Sequence, residues 1–248
     1  MEKKSFLSLF KDSFQDFYKN PIVILPALAS LIFLLLFSKI SLKVNTLISN
    51  QSSVIFTIWL IIFTLISLLV LSYLFAGLIG LSLKATNGKA RITDFFFSAN
   101  KYYLKNFAIT LIILVCYDII NFIAIYGAYY IGKSISLSTN SARILFFFIY
   151  FAGLIGILLF MAFSSFYLIY KSGGVIKSLK SSARLVSNNY PYVLAIAILL
   201  FICIQLVSYL DNIDIKNILN LADILSSIIL YPYLALVLSR FLISFDAK

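Results

Sequence analysis

The run VIFTIWLIIFTLISLLVLSYLFAGLIGLSL, residues 54–83, carries no charged side chain over 30 consecutive positions. About 20 apolar residues are enough to cross the hydrocarbon core of a bilayer. At 1.5 Å per residue this run makes a helix about 45 Å long, so it tilts or reaches beyond the bilayer. It lacks the alternating polar face of a barrel strand. Five further runs meet or approach the spanning length: residues 21–38, 107–131 (broken only by Asp118), 144–170, 190–210 and 224–245. The pattern reads as an all-α polytopic membrane protein with six transmembrane helices, one membrane domain over residues 1–248.

Composition agrees. The 248 residues are 62% hydrophobic and 12% charged, with mean hydropathy +1.04. A soluble domain carries roughly 45–50% apolar and about 25% charged residues, and one core of this size cannot hide so much apolar surface. Disorder is excluded as well, because disordered chains are poor in aromatics and this one has 24 Phe and 16 Tyr. Histidine is absent, which removes the commonest general base and metal ligand. Cys116 and Cys203 both sit within apolar runs and read as small hydrophobes in packing positions. No cofactor or metal site is expected. Without histidine no nucleophile and base pair assembles, so the expectation is a protein without catalytic activity.

Lysine and arginine orient the chain. Six spans put both termini on one side. That side collects Lys3, Lys4, Lys11 and Lys19, then Lys84, Lys89, Arg91, Lys101 and Lys105, then Lys171, Lys177, Lys180 and Arg184, and finally Arg240 and Lys248. The opposite side holds Lys39, Lys43, Lys133, Arg143 and Lys216, with Asp211, Asp214 and Asp223. The reading is a multi-pass cell-membrane protein with cytoplasmic termini. Its net charge of +11 is mostly a topology signal and does not call for nucleic acid. Ala27-Leu28-Ala29 looks like a signal-peptide cleavage site but lies too early in the apolar run, so the first helix is read as uncleaved. Arg240 is close enough to the end of the last span to snorkel, and Pro232 is expected to kink that span.

The cytoplasmic segments carry helical stripes. Phe6, Phe10, Phe14 and Phe17 share one face. Ile92, Phe95, Phe96, Ala99 and Tyr103 share another, behind Thr93 as a plausible N-cap. Ile176, Leu179, Ala183 and Val186 share a third, beside a basic face of Lys177, Lys180 and Arg184. Apolar stripes flanked by basic residues suit interfacial amphipathic helices. Each segment ends at an asparagine, Asn20, Asn106 or Asn189, with separations of 86 and 83 residues. A fixed period with constant element order marks a repeat. The units are about 3–83, 90–170 and 174–245, each an interfacial helix, an asparagine corner and a hairpin of two spans, all parallel. Asparagine tolerates left-handed backbone and bonds its own chain, which suits a bend from the membrane plane to its normal.

The features Asn20-Pro21, Gly77 and Gly80, and Gly88 followed by Thr93-Asp94-Phe95-Phe96 match a known pattern. So does Lys180-Ser181-Ser182-Ala183-Arg184-Leu185-Val186 running into Asn188-Asn189. In these the chain resembles a family of six-helix membrane proteins, typified by the membrane domain fused to some glycerophosphodiester phosphodiesterases and by uncharacterised inner-membrane relatives. The resemblance extends over nearly the whole chain and implies the six-helix architecture. It brings no phosphodiesterase domain and no settled activity.

Two functional readings remain. Asp118 is the one acid within a span and lies near its centre, where it costs roughly 2.5–3.5 kcal/mol on insertion scales. With Asn121 on the same face and Gln205 on the fifth span, it marks a small transporter or channel, or else a hydrogen-bonded structural acid. The first reading is a non-enzymatic membrane protein, lipid-interacting or an accessory scaffold. Its partners are anionic head groups on the cytoplasmic side, engaged above all by Lys177, Lys180 and Arg184, and a membrane protein partner is possible. The glycines of Ala76–Gly80 and Ala152–Gly156 are expected to serve close helix contact.

Overall fold

A computed structural model describes residues 6–48, 53–134, 139–211 and 226–246. Among them all regular structure is helical. The helices are α1 (Phe6–Lys19), α2 (Ile24–Ile48), α3 (Ser53–Ala85), α4 (Ile92–Ser134), α5 (Thr139–Met161), α6 (Ser164–Tyr170), α7 (Val175–Asn188), α8 (Tyr190–Asp211) and α9 (Tyr231–Asp246). A 3₁₀ turn, Pro21–Val23, leads into α2, and a π-helical turn, Ser226–Leu230, leads into α9. Five helical segments are long and apolar enough to cross a membrane: Pro21–Val44, Val54–Ala85, Ile92–Ser134, Arg143–Tyr170 and Ile228–Asp246. The chain is thus an all-α protein of multi-pass membrane type. Of the expected fifth span, the described apolar helix is Tyr190–Leu199. The start of the expected sixth at Ile224, and Asp214, Lys216 and Asp223, lie outside the described residues.

The buried core gathers at one end of the molecule. It draws Leu9 from α1, Ile79 and Leu81 from α3, Ala99 and Ile109 from α4, Phe163 and Phe166 around α6, Val186 from α7 and Phe241 from α9. Away from that end, α2 and α3 turn large apolar side chains outward, among them Leu35, Leu36, Ile58 and Ile61. That is the surface expected of helices whose solvent is lipid.

The α3/α4 hairpin forms the spine, and its register is antiparallel. Gly77 faces Phe95, Gly80 faces Ser98, and Asn106 on α4 donates from Nδ2 to the Ser72 carbonyl of α3 at 3.1 Å. A Cβ on Gly77 would lie 2.1 Å from the Phe95 ring, and one on Gly80 would lie 2.0 Å from Ser98 Oγ. Both glycines therefore let the two backbones close together. On α5, Gly153 does the same against Ile120, while nothing lies within 4 Å of a Cβ at Gly156.

Several local expectations are replaced by tighter solutions. At Asn106 there is no corner, because α4 runs unbroken for 43 residues, about 65 Å. The side chain is fully buried and serves the α3 contact. Corners do fall at Asn20 and Asn189, between α1 and the 3₁₀ turn and between α7 and α8. Neither backbone is left-handed there: φ is −128° at Asn20 and −131° at Asn189. Each instead donates from Nδ2 to the carbonyl four residues back, Asp16 at 3.1 Å and Leu185 at 3.0 Å. Thr93 is inside the first turn of α4. The cap is made by Asp94, whose carboxylate accepts from the Arg91 N–H at 2.9 Å, as in a capping box. Ahead of Pro232 the helix widens into the π-helical turn, which accommodates a residue that cannot donate and crowds the carbonyl four back.

The close seam generates a test. Gly80→Ala should lower thermal stability in detergent by about 1–3 kcal/mol, because the new methyl overpacks Ser98. Adding Ser98→Gly should restore most of the loss. A Gly80→Ala protein as stable as the parent would show that the helices do not approach so closely.

Candidate functional site

The buried face of α7 decides how it is presented. That face is Ser178, Ser182, Leu185 and Val186, and the two small serines let the helix sit close to the α5–α6 junction. The expected apolar stripe is rotated by this choice. Val186 is buried, but Ile176 is 68% exposed. Ser182 is the anchor. Its hydroxyl donates to the Phe160 carbonyl at 2.6 Å and accepts from the Phe163 N–H at 3.2 Å. Those are the backbone groups released where α5 ends and α6 begins, so a side chain inserted into the helical ladder produces the break.

The opposite face of α7 presents Lys177, Lys180 and Arg184, all exposed. With Ile176 and Ser181 they line a hollow of about 540 Å³. No acidic side chain pairs with any of the three among the described residues.

Two other basic residues at this end of the molecule are paired with acids. Arg240 on α9 turns to the acids of α1. Its Nη1 donates to Asp12 Oδ2 at 3.2 Å and its Nε to Asp16 Oδ2, both on α1. The three side chains are only 20%, 27% and 10% exposed. Tyr233 adds a bond to the Phe10 carbonyl at 3.1 Å, so the first and last helices are fastened together. Lys171 pairs with Asp246 at 2.5 Å, and Asp246 also accepts from the Tyr167 hydroxyl. Lys101 lies 5.3 Å from the ring centroids of both Phe97 and Tyr102. Tyr102 in turn bonds Ser172 at 2.5 Å, in the turn before α7 where Ser172 takes φ 51°.

Asn20 makes three side-chain hydrogen bonds. Beyond its bond to Asp16 it donates to the Gly88 carbonyl at 3.2 Å, and its Oδ1 accepts from the Ala90 N–H at 2.9 Å. It thereby ties the α1 corner to the loop between α3 and α4. Asn189 closes only its own corner.

Asp118 and Asn121 lie on α4. Asp118 is exposed and Asn121 half-buried, and neither side chain has a hydrogen bond among the described residues. Gln205 belongs to α8, and its side chain lies outside the described residues. Asp118 does not line the apolar groove of about 410 Å³ formed by α2, α3, α6 and α9, whose walls include Ala27, Leu31, Leu74, Phe166 and Leu238. The hydroxyl of Ser30 in that wall is satisfied by the Pro26 carbonyl.

A family model described as a domain of unknown function, DUF7847, matches residues 6–242. The chain belongs to the DUF7847 family. No curated protein and no solved structure matches it. The DUF7847 match runs from α1 into α9, so the Arg240 contact with Asp12 and Asp16 closes the two ends of the matched region onto each other. A pointer to this cluster was present in the sequence. Asp12 and Asp16 stand four apart on one helical face, and Arg240 is the one basic residue in the last apolar run.

Arg240→Met should therefore destabilise the protein in detergent by about 2 kcal/mol, since two partly buried carboxylates lose their donor. Adding Asp12→Asn and Asp16→Asn should recover a good part of that loss. Equal melting of parent and Arg240→Met would mean that the cluster contributes nothing.

Proposed function

We propose that this is a non-enzymatic integral membrane protein that engages anionic lipid head groups through the basic face of α7. It crosses the membrane six times, with both termini and α7 on the cytoplasmic side. Three parallel units build it, each a helix followed by a hairpin. In the first and third, α1 and α7 lie in the interface. In the second, the interfacial segment is straightened into α4.

One observation carries the reading. Lys177, Lys180 and Arg184 remain exposed and unneutralised on a helix whose other face is locked into the core. Arg240 and Lys171 nearby are paired with acids. A basic residue at an anionic surface is worth about 1 kcal/mol, so the three together supply about 3 kcal/mol before salt screening, about a hundredfold in affinity. The apolar groove supports the same reading, because its wall is almost wholly apolar and suits an acyl chain. The transporter reading built on Asp118 stands below it. An outward-facing acid that lines no part of the groove gives little to build an aqueous path from.

The test replaces Lys177, Lys180 and Arg184 together by Gln in the full chain and reads two quantities. Anionic lipid retained on purification should fall severalfold. A cysteine placed at Ser181 should still be labelled only from the cytoplasmic side. Unchanged lipid content overturns the proposal, and lost orientation with unchanged lipid assigns these charges to topology alone.

A further inference from the structure

The groove bounded by α2, α3, α6 and α9 exists because three helices meet unevenly. α2 and α9 both pack along α3 but touch each other little, and the π-helical turn ahead of α9 returns to α2. Small side chains keep the gap open, Ala27 and Ser30 on α2 and Ala235 on α9. The floor is α3 together with Phe166 of α6, whose ring meets Phe75 edge-on at 6.4 Å. Phe166 is fully buried, so this floor is part of the core.

The groove runs along Ala27–Leu34 of α2 and Leu71–Leu78 of α3, about 10 Å of helix. Both stretches lie in the part of their spans nearer the buried end, which places the groove mainly within one leaflet of hydrocarbon, about 15 Å deep. Its walls select what fills it. Water needs two to four polar partners. The described wall offers two hydroxyls, and that of Ser30 is already bonded to the Pro26 carbonyl at 2.8 Å. A helix, from a second copy or from another protein, is too wide. At 10–12 Å across with its side chains it takes roughly 800 Å³ or more over that length, against about 410 Å³ in the groove. Residues 212–225, which join α8 to the π-helical turn, carry Asp214, Lys216 and Asp223 and are ill suited to a dry trough. A single file of methylenes meets both the size and the polarity.

We propose that the groove binds one acyl chain of a bilayer lipid as a defined ligand, whatever head group that lipid carries. The chain supplies the contact that α2 and α9 do not make with each other, so its binding stabilises the folded protein. This inference rests on α2 and α3 spanning the membrane and is independent of what α7 binds.

The experiment places the full chain in phosphatidylcholine vesicles containing a small fraction of phosphatidylcholine with a photoreactive diazirine midway along one chain. That lipid carries no net charge, so the basic face of α7 plays no part. Adducts should form at Leu31, Leu74 and Leu234 severalfold more than at Leu35 and Leu36 of α2 or Ile58 and Ile61 of α3. Those four controls are the more open to bulk lipid, at 50–57% exposed. Ser30→Phe and Leu234→Trp fill the groove from opposite walls. Each should lower groove labelling severalfold and leave the outward positions unchanged. Added phosphatidylcholine should raise the melting temperature of the parent in detergent by several degrees and that of the filled variants much less. Two variants keep the test alive if one fails to fold. Replacing Lys177, Lys180 and Arg184 by Gln should leave groove labelling as in the parent, so the two lipid readings fail separately. Labelling no stronger in the groove than on the outward faces overturns the proposal, as does parent-like labelling in both filled variants. With Cys116 and Cys203 replaced by Ala, two disulfides would also overturn it. One joins cysteines at Ser30 and Leu221 within a chain, which makes the chain its own filler. The other joins cysteines at Leu34 of two chains, which makes a second copy the occupant.

Discussion

A peptide N–H or C=O removed from water must find a partner, and an apolar medium supplies none. Continuous helices meet this requirement by themselves. Breaks and corners do not, and this chain breaks where its core is most tightly packed. A polar side chain meets the requirement at three of these places. Asn20 serves the α1 corner and also the loop from α3 to α4. Ser182 serves the break between α5 and α6. Asn189 serves the corner between α7 and α8. The geometry of the buried end follows from these short, polar, well-placed groups more than from any apolar pattern.

The division of charge follows from the same packing. α1 and α9 come together because each brings half of an ion-pair cluster, Asp12 and Asp16 on one and Arg240 on the other. Arg240 and Lys171 are engaged, while Lys177, Lys180 and Arg184 stand together on the exposed face of α7. It is held rigidly by Ser182 and presented away from the core. A fixed array of cations suits a charged surface better than lysines on a flexible loop, since less backbone freedom is lost on contact.

The sequence made the helical class and the runs 54–83 and 144–170 legible to within a residue or two, because charge-free stretches have few other solutions. The 54–83 run became α3 at Ser53–Ala85. Asn20 and Asn189 were found as corners through their period, and Gly77 and Gly80 as contact residues through their size. What was hidden was every choice between chemically similar local answers. Asn106 looks like its two counterparts, yet a carbonyl of α3 within reach turned it into a strut inside a continuous helix. Ile176 belongs to an apolar stripe by spacing, but the serine face of α7 fits closer to its neighbours. Arg240 was read by itself as a snorkelling residue, since its acids are more than 220 residues away in the chain. Of the candidate residues, Lys177, Lys180 and Arg184 stand together on one exposed face, while Asp118 and Asn121 stand apart on α4.

The account depends on side chains completing the backbone at the breaks, and Ser182 is where that is most exposed to test. Hydrogen exchange of the Phe163 amide should be compared between the parent and Ser182→Ala in the same lipid environment. If the hydroxyl is the amide's partner, exchange at Phe163 accelerates by about tenfold or more while the amides around Asn20 and Asn189 keep their parent rates. Unchanged exchange at Phe163 would contradict the claim that this break, and the placement of α7 upon it, rests on Ser182.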